Sequence, residues 1–305
     1  MDTEGRRLLL RLVKEAVTQN PTSVGKIIRE VCRLPTKEAD QFASLLDYTP
    51  LSKIVHLGTL VSDRLRFLQF FESVTTLRPF VTQLKERTQL HRILAPNTWL
   101  FGEEYAVGGD DENLRCILEE HIRILGRDHL APEMHEADIT EIIKEFSRES
   151  IGTNLSLDRI PDLMLWKKYV ERRPDEYEFV VVELKRPGVS IGRKEIAQIE
   201  DYAKAIVKSP FSEKVRTRWV FILISDSLDE AANDRAHSGI HEPWTILDRD
   251  NYTIRIFPWC EVVRSAKARH QFLASSIEFS LSHDAMLKDA RSKFDSFLPA
   301  EKSRR

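Results

Sequence analysis

The sequence predicts an α/β protein, a mixed sheet flanked by helices and preceded by an all-α N-terminal domain. Two observations carry this. Up to about residue 92, apolar residues recur at helical spacing and none of the segments alternates as a strand does. Beyond that point, apolar runs of strand length (Tyr177 to Lys185, Arg218 to Ser225, Tyr252 to Phe257) are separated by amphipathic stretches. Strands interleaved with helices imply a sheet covered on both faces. The length of 305 residues, at about 150 per domain, suggests roughly two domains. The expected boundaries are 1–88 for the helical domain, 89–280 for the α/β domain, and 281–305 for a C-terminal helix and loose tail.

In chain order, Leu8, Leu9, Leu12, Val13 and Ala16 mark a first helical stripe. Val24, Ile27, Ile28 and Val31 follow Pro21, and Ala39, Phe42, Leu45 and Leu46 follow Pro35. Pro50 opens the longest stripe, Leu51 through Phe71. Gly108-Gly109-Asp110-Asp111 reads as a turn, followed by a helix with Leu114, Ile117, Leu118, His121, Ile122 and Leu125 on one face. Asp138 to Phe146 suits a short helix. Ile160 to Val170 and Tyr177 to Lys185 read as two strands, the second closed by Pro187-Gly188. An amphipathic helix from Lys194 carries Ile196, Ile199, Tyr202, Ala203 and Ile206. Arg218 to Ser225 is apolar throughout, as a central strand is. Tyr252 to Phe257 is a fourth strand, and the tail from Glu261 reads as two helices.

Composition narrows the function classes. Apolar residues make up 42% and charged residues 31%, a globular balance. A net charge of −2 gives no global basic field, so any contact with nucleic acid must be local. The longest apolar runs fall far short of the roughly 20 residues that span a bilayer, and Arg11 and Lys14 break the N-terminal one, so neither a membrane partner nor a secretory signal is expected. Cys32, Cys116 and Cys260 are far apart and odd in number, which points to a reducing, cytoplasmic setting without a disulfide framework.

One constellation carries chemistry. Glu183-Leu184-Lys185 is the only Asp/Glu-x-Lys triplet in the chain and ends the apolar strand. Period-two geometry puts Glu183 and Lys185 on one face and Leu184 on the other. Arg172-Arg173-Pro174-Asp175-Glu176 is the natural turn between the two strands, and a hairpin centred between 172 and 173 sets Asp162 beside Glu183. Two carboxylates and an ammonium then converge. Two carboxylate oxygens and the Leu184 carbonyl suit a hard divalent cation, Mg²⁺ or Mn²⁺, with water and phosphate completing the shell. Lys185 can orient water and stabilise charge on phosphorus. The same triplet also fits a salt-bridged hairpin.

The surroundings extend the pattern. Arg159-Ile160-Pro161-Asp162 and Val181-Val182-Glu183-Leu184-Lys185-Arg186-Pro187-Gly188 resemble the core of the PD-(D/E)XK nuclease superfamily, and the helix from Lys194 resembles the one that presents a Gln beside that site. Together with Trp99-x-Phe101-Gly102-Glu103-Glu104-Tyr105 and Ile196-x-Gln198-Ile199-x-x-Tyr202, they resemble the nuclease domain of the Shedu antiphage-defence family over about residues 89 to 277. The resemblance implies a restriction-endonuclease-like fold and metal-dependent DNA cleavage in bacterial antiphage defence. Asp162 and Glu183 would bind metal and Lys185 would be catalytic. Glu103 or Glu104, from an early core helix, would support the metal or Lys185, and Gln198 would orient phosphate or water. It also implies homo-oligomers, commonly tetramers. Residues 1–88, which the resemblance does not cover, are expected to restrain the activity.

Local charge agrees with a phosphate partner. From Glu183 to Arg218 there are nine basic residues, Arg186, Arg193 and Lys194 among them, against five acidic. Such contacts make DNA binding strongly salt-dependent. Two other readings keep the same fold: a catalytically silent nucleic-acid-binding scaffold or sensor, and an RNA-directed nuclease. Other signals are discarded. Ser238-Gly239 between His237 and His241 argues against a helical zinc face, and Gly25-Lys26 lacks the upstream glycine of a P-loop.

Overall fold

The computed structural model describes residues 14, 18, 21–76, 89–103, 105–110, 113–128, 141, 160–168, 176–208 and 217–276. The chain divides into two compact units, Met1–Ser62 and Asp63–Arg305. The first contains α1 (Pro21–Arg33), α2 (Thr36–Tyr48) and the start of α3 (Leu51–Thr76). Pro35 sits at the N-cap of α2, where its fixed φ and missing donor cost nothing. α2 buries none of its residues, and Ile27, Ile28, Val31, Leu45 and Leu46 are exposed.

The boundary expected at residue 88 falls instead within α3. Phe67, Leu68, Phe70, Phe71 and Val74 are buried in the second unit's core, where Phe71 meets the Trp259 ring edge-on at 5.5 Å. Phe67, Phe70 and Phe71, all buried, remove large apolar areas from water, and that burial draws this half of the helix into the α/β core.

The second unit continues with α4 (His91–Leu94), a 3-10 turn (Ala95–Leu100), β1 (Ala106–Asp110), α5 (Leu114–Asp128), β2 (Leu163–Lys168) and β3 (Tyr177–Leu184). Then come β4 (Ser190–Ile191), α6 (Arg193–Val207), β5 (Thr217–Ser225), β6 (Ser227–Leu228), α7 (Glu230–Ala236), β7 (Thr245–Asp248), β8 (Tyr252–Pro258) and α8 (Trp259–Ser276). Six strands form one mixed sheet in the order β1-β2-β3-β5-β8-β7, with β3, β5 and β8 parallel. β4 and β6 form a separate short parallel ladder.

Alternation splits the core in two. Phe179, Val181, Trp219, Phe221 and Leu223 pack with α5 and α6 on one face. Val180, Val182, Leu184, Val220, Ile222 and Ile224 pack with α3 and α8 on the other. The sheet is therefore covered on both faces, and β3, buried at every residue, is central.

Some expected elements differ. Gly108-Gly109 is not a turn: Ala106–Asp110 pairs with β2, with a register shift between Val107 and Gly109. A Cβ on Gly108 would stand 3.1 Å from the Trp166 ring, so glycine serves a close approach there. β1, β7 and α7 carry no apolar run long enough to announce them. The short helix at 138–146 lies outside the described residues except for Glu141, and the 172–173 turn and the tail beyond 276 lie outside them altogether.

Candidate active site

The site forms at the C-terminal end of β3, on the α5–α6 face. Leu163 pairs with Val182 and Met164 with Val181, the register expected for a turn centred between 172 and 173. Beyond the last ladder pair, the Asp162 N–H donates to the Val182 carbonyl at 3.1 Å. Asp162 Oδ2 in turn accepts the Leu184 N–H at 2.7 Å. Asp162 thus stands across from Glu183, and each is 4% exposed.

Glu183 Oε1 accepts from Lys185 Nζ at 2.5 Å and from Gln198 Nε2 at 2.7 Å. Gln198 also donates to the Tyr202 hydroxyl at 2.7 Å, one turn along α6. Burial first, then the Glu183 charge, push the Tyr202 phenol up, and Asp162 adds to the same effect. Both carboxylates therefore bear on one buried hydroxyl, which stays protonated as a donor.

Lys185 is held by its main chain. Its N–H donates to the Ile224 carbonyl at 2.7 Å on β5, and its carbonyl accepts the Trp259 indole N–H at 3.1 Å from α8. The strand ladder is continued past Leu184, and the ammonium projects toward the carboxylates. Leu184 itself turns to the opposite core, fully buried, and gives Asp162 its N–H. The glycine-containing loop then turns away through Gly188 (φ +89°). Arg186, Arg193 and Lys194, at the end of β3 and the start of α6, are all exposed.

Glu103 is placed elsewhere. It lies not on a helix but in the turn before β1, because the chain leaves the 3-10 turn at Leu100. Its carboxylate pairs with Arg64, and Arg269 Nε and His270 Nε2 lie 3.8 and 3.6 Å from it. Three cationic or basic groups from α3 and α8 outweigh any pull toward a site already rich in negative charge. Glu104 lies outside the described residues. Tyr202, Ile224 and Trp259 were not singled out for the site. The spacing of Gln198 and Tyr202, four apart, was the available signal for the first; nothing local marks the other two.

The donor set suits a hard cation. Two buried carboxylates beside Lys185 concentrate negative charge out of water, a setting that a hard cation can help to neutralise. Oxygen-only ligands select Mg²⁺ or Mn²⁺ over softer metals. Among the described residues no group of three or more His, Cys, Asp or Glu gathers as a metal cage. An Mg²⁺ site held by one or two carboxylates and otherwise by water and phosphate needs none.

Comparison with protein-family models, with curated proteins and with solved structures gives no match. Among the described residues no helix is long and apolar enough to cross a membrane. Among the described residues Cys32, Cys116 and Cys260 form no disulfide.

Proposed function

We propose that the chain is a metal-dependent phosphodiesterase with a restriction-endonuclease-like core. The observation that carries this reading is the convergence of Asp162, Glu183, Lys185 and Gln198 at the end of a buried central strand. More narrowly, the motif order supports a DNA endonuclease of the Shedu type, acting in bacterial antiphage defence as a homo-oligomer. Residues 1–88, which include the compact unit Met1–Ser62, would be the segment that restrains it.

In this reading Asp162 and Glu183 hold Mg²⁺, or Mn²⁺ in its place. A bound ion of this kind supplies an acidified water and neutralises phosphate charge. Lys185 Nζ, held at its base by β5 and α8, donates to the attacking water or to a phosphate oxygen where charge develops. Gln198 fixes the Glu183 carboxylate in place. Arg186, Arg193 and Lys194 bind flanking phosphates and fix register on the strand without reading sequence.

The test is cleavage of supercoiled and linear DNA with Mg²⁺ or EDTA, comparing the wild-type chain with Lys185→Ala. Magnesium-dependent cleavage lost in the variant supports the reading. Cleavage that survives Lys185→Ala overturns the site. Binding without cleavage favours the scaffold, and cleavage of RNA in preference to DNA favours an RNA-directed nuclease.

A further inference from the structure

On the sheet face opposite the carboxylates, a cavity of about 130 Å³ opens between β5, β8 and α8. Its floor is apolar and buried: Leu100, Ile222, Ile224 and Val262. Its rim carries two guanidiniums, Arg255 and Arg269. A cavity of about 150 Å³ with aliphatic and aromatic walls accommodates one benzene ring. Space for a single ring beneath two cations is the shape of a small aromatic acid.

The charges are arranged to receive one. Arg255 donates through Nε to Thr245 Oγ1 at 3.4 Å and through Nη2 to Glu242 at 2.9 Å, and its Nη1 carries no hydrogen bond among the described residues. Glu242 is 80% exposed, so solvent screens that pair and a competing anion can displace it. Arg269 is anchored, with Nη1 on Ser265 Oγ at 2.9 Å and Nη2 on the Leu100 carbonyl at 2.7 Å and the Trp99 carbonyl at 3.1 Å. Its positive charge is therefore fixed in place, shared with the Glu103 carboxylate 3.8 Å from Nε. Glu261 also lines the cavity, but its carboxylate is paired with Arg264.

We propose that this cavity binds a small organic anion of benzoate size, with its ring on the Ile222–Ile224 floor and its carboxylate on Arg255 and Arg269. The carboxylate would take Arg255 Nη1 and displace Glu242 from Nη2, with Arg269 adding charge from its fixed position, and the buried floor rejects an acid without an apolar body. The cavity and the carboxylate cluster lie on opposite sheet faces, so the inference stands independently of the proposed nuclease activity.

The probe is 4-fluorobenzoate, followed by fluorine NMR on the full chain. Saturable line broadening is expected in the millimolar range, as suits a ligand of about ten non-hydrogen atoms. Benzoate should displace the probe, whereas acetate, which lacks the ring, and benzyl alcohol, which lacks the charge, should not. Arg255→Ala should weaken binding by about tenfold or more, the order of a lost charge-assisted hydrogen bond. Ser265→Trp, at an exposed helix position on the rim, should fill the mouth and remove the hydroxyl that holds Arg269 Nη1, and so block binding to a similar degree. No saturable broadening up to about ten times a millimolar dissociation constant overturns the proposal, on the scale of small-fragment binding. So does binding that persists in both variants while their circular dichroism is unchanged, or equal displacement by acetate.

Discussion

Strand β3 carries two buried glutamates five residues apart, each beside a lysine and a tyrosine, and only one of the two sets looks built for chemistry. Near the start of the strand, Glu178 accepts the Tyr105 hydroxyl and lies 3.5 Å from Lys167, whose ammonium sits 4.7 Å from the Tyr105 ring centroid. Near the end, Glu183 meets Lys185, Gln198 and, across the ladder, Asp162. Odd spacing sends the two side chains to opposite faces of the sheet. The lesson lies in the second carboxylate. A glutamate held by an ammonium and a phenol is a strut; the same glutamate with an aspartate alongside concentrates negative charge, as the proposed cation site requires.

Substitutions can break or sharpen that comparison. Asp162→Asn removes the added charge and keeps the shape, and we expect it to lower magnesium-dependent cleavage by at least about 10³-fold in single-turnover assays, since metal assistance supplies several kcal/mol. Gln198→Leu leaves both carboxylates but frees Glu183 to move. A loss of about 10- to 100-fold is expected, as for other groups that orient metal ligands, and a titration with Mg²⁺ should show a weaker half-saturation. Glu178→Gln should leave cleavage within about threefold while lowering the unfolding free energy by about 1–3 kcal/mol, measured in urea, because a buried charged hydrogen bond is replaced by a neutral one. An inactive Glu178→Gln protein that is still folded would erase the distinction between the two sets.

A further effect, on acid stability rather than cleavage, concerns a neighbour on the Glu183 face. His121 is fully buried, 4.6 Å from the Phe179 ring and 4.9 Å from that of Trp219, and burial lowers its pKa to about 3. The unfolded chain takes up this proton near pH 6.5 and the folded chain near 3, so stability is lost as pH falls through that window and is intact above it. His121→Phe should flatten that part of the acid-denaturation curve by up to about 1.4 kcal/mol per pH unit. Urea midpoints at pH 7, 6 and 5 would show it.

The hairpin was legible from sequence because its register depends on local matters, a polar turn and two apolar runs, and Leu163 pairs with Val182 accordingly. Gln198 was suggested only by the resemblance of its helix to the one that presents a glutamine in PD-(D/E)XK nucleases; the apolar stripe of α6 did not include it. What escaped depends on distant partners. Glu103 stands in a motif that looks catalytic, yet Arg64 lies 39 residues before it and pairs with it across the fold. The Gly108-Gly109 pair reads as a turn until Trp166 supplies the reason for a strand without side chains. The unit boundary inside α3 was hidden because apolar residues run on from Leu51–Leu65 to Phe67–Val74 with no proline or glycine at the junction to mark a break.

The two bonds on the Lys185 main chain also set an order in time. Asp162 and Glu183 need only a hairpin, but Lys185 waits for Ile224 and then for Trp259, 74 residues downstream. At about 5–20 residues per second, a ribosome takes several seconds to supply that stretch. The lysine is therefore anchored only after every strand of the sheet has been made. If the chain is the nuclease proposed above, each new copy would be harmless until that point of its own synthesis.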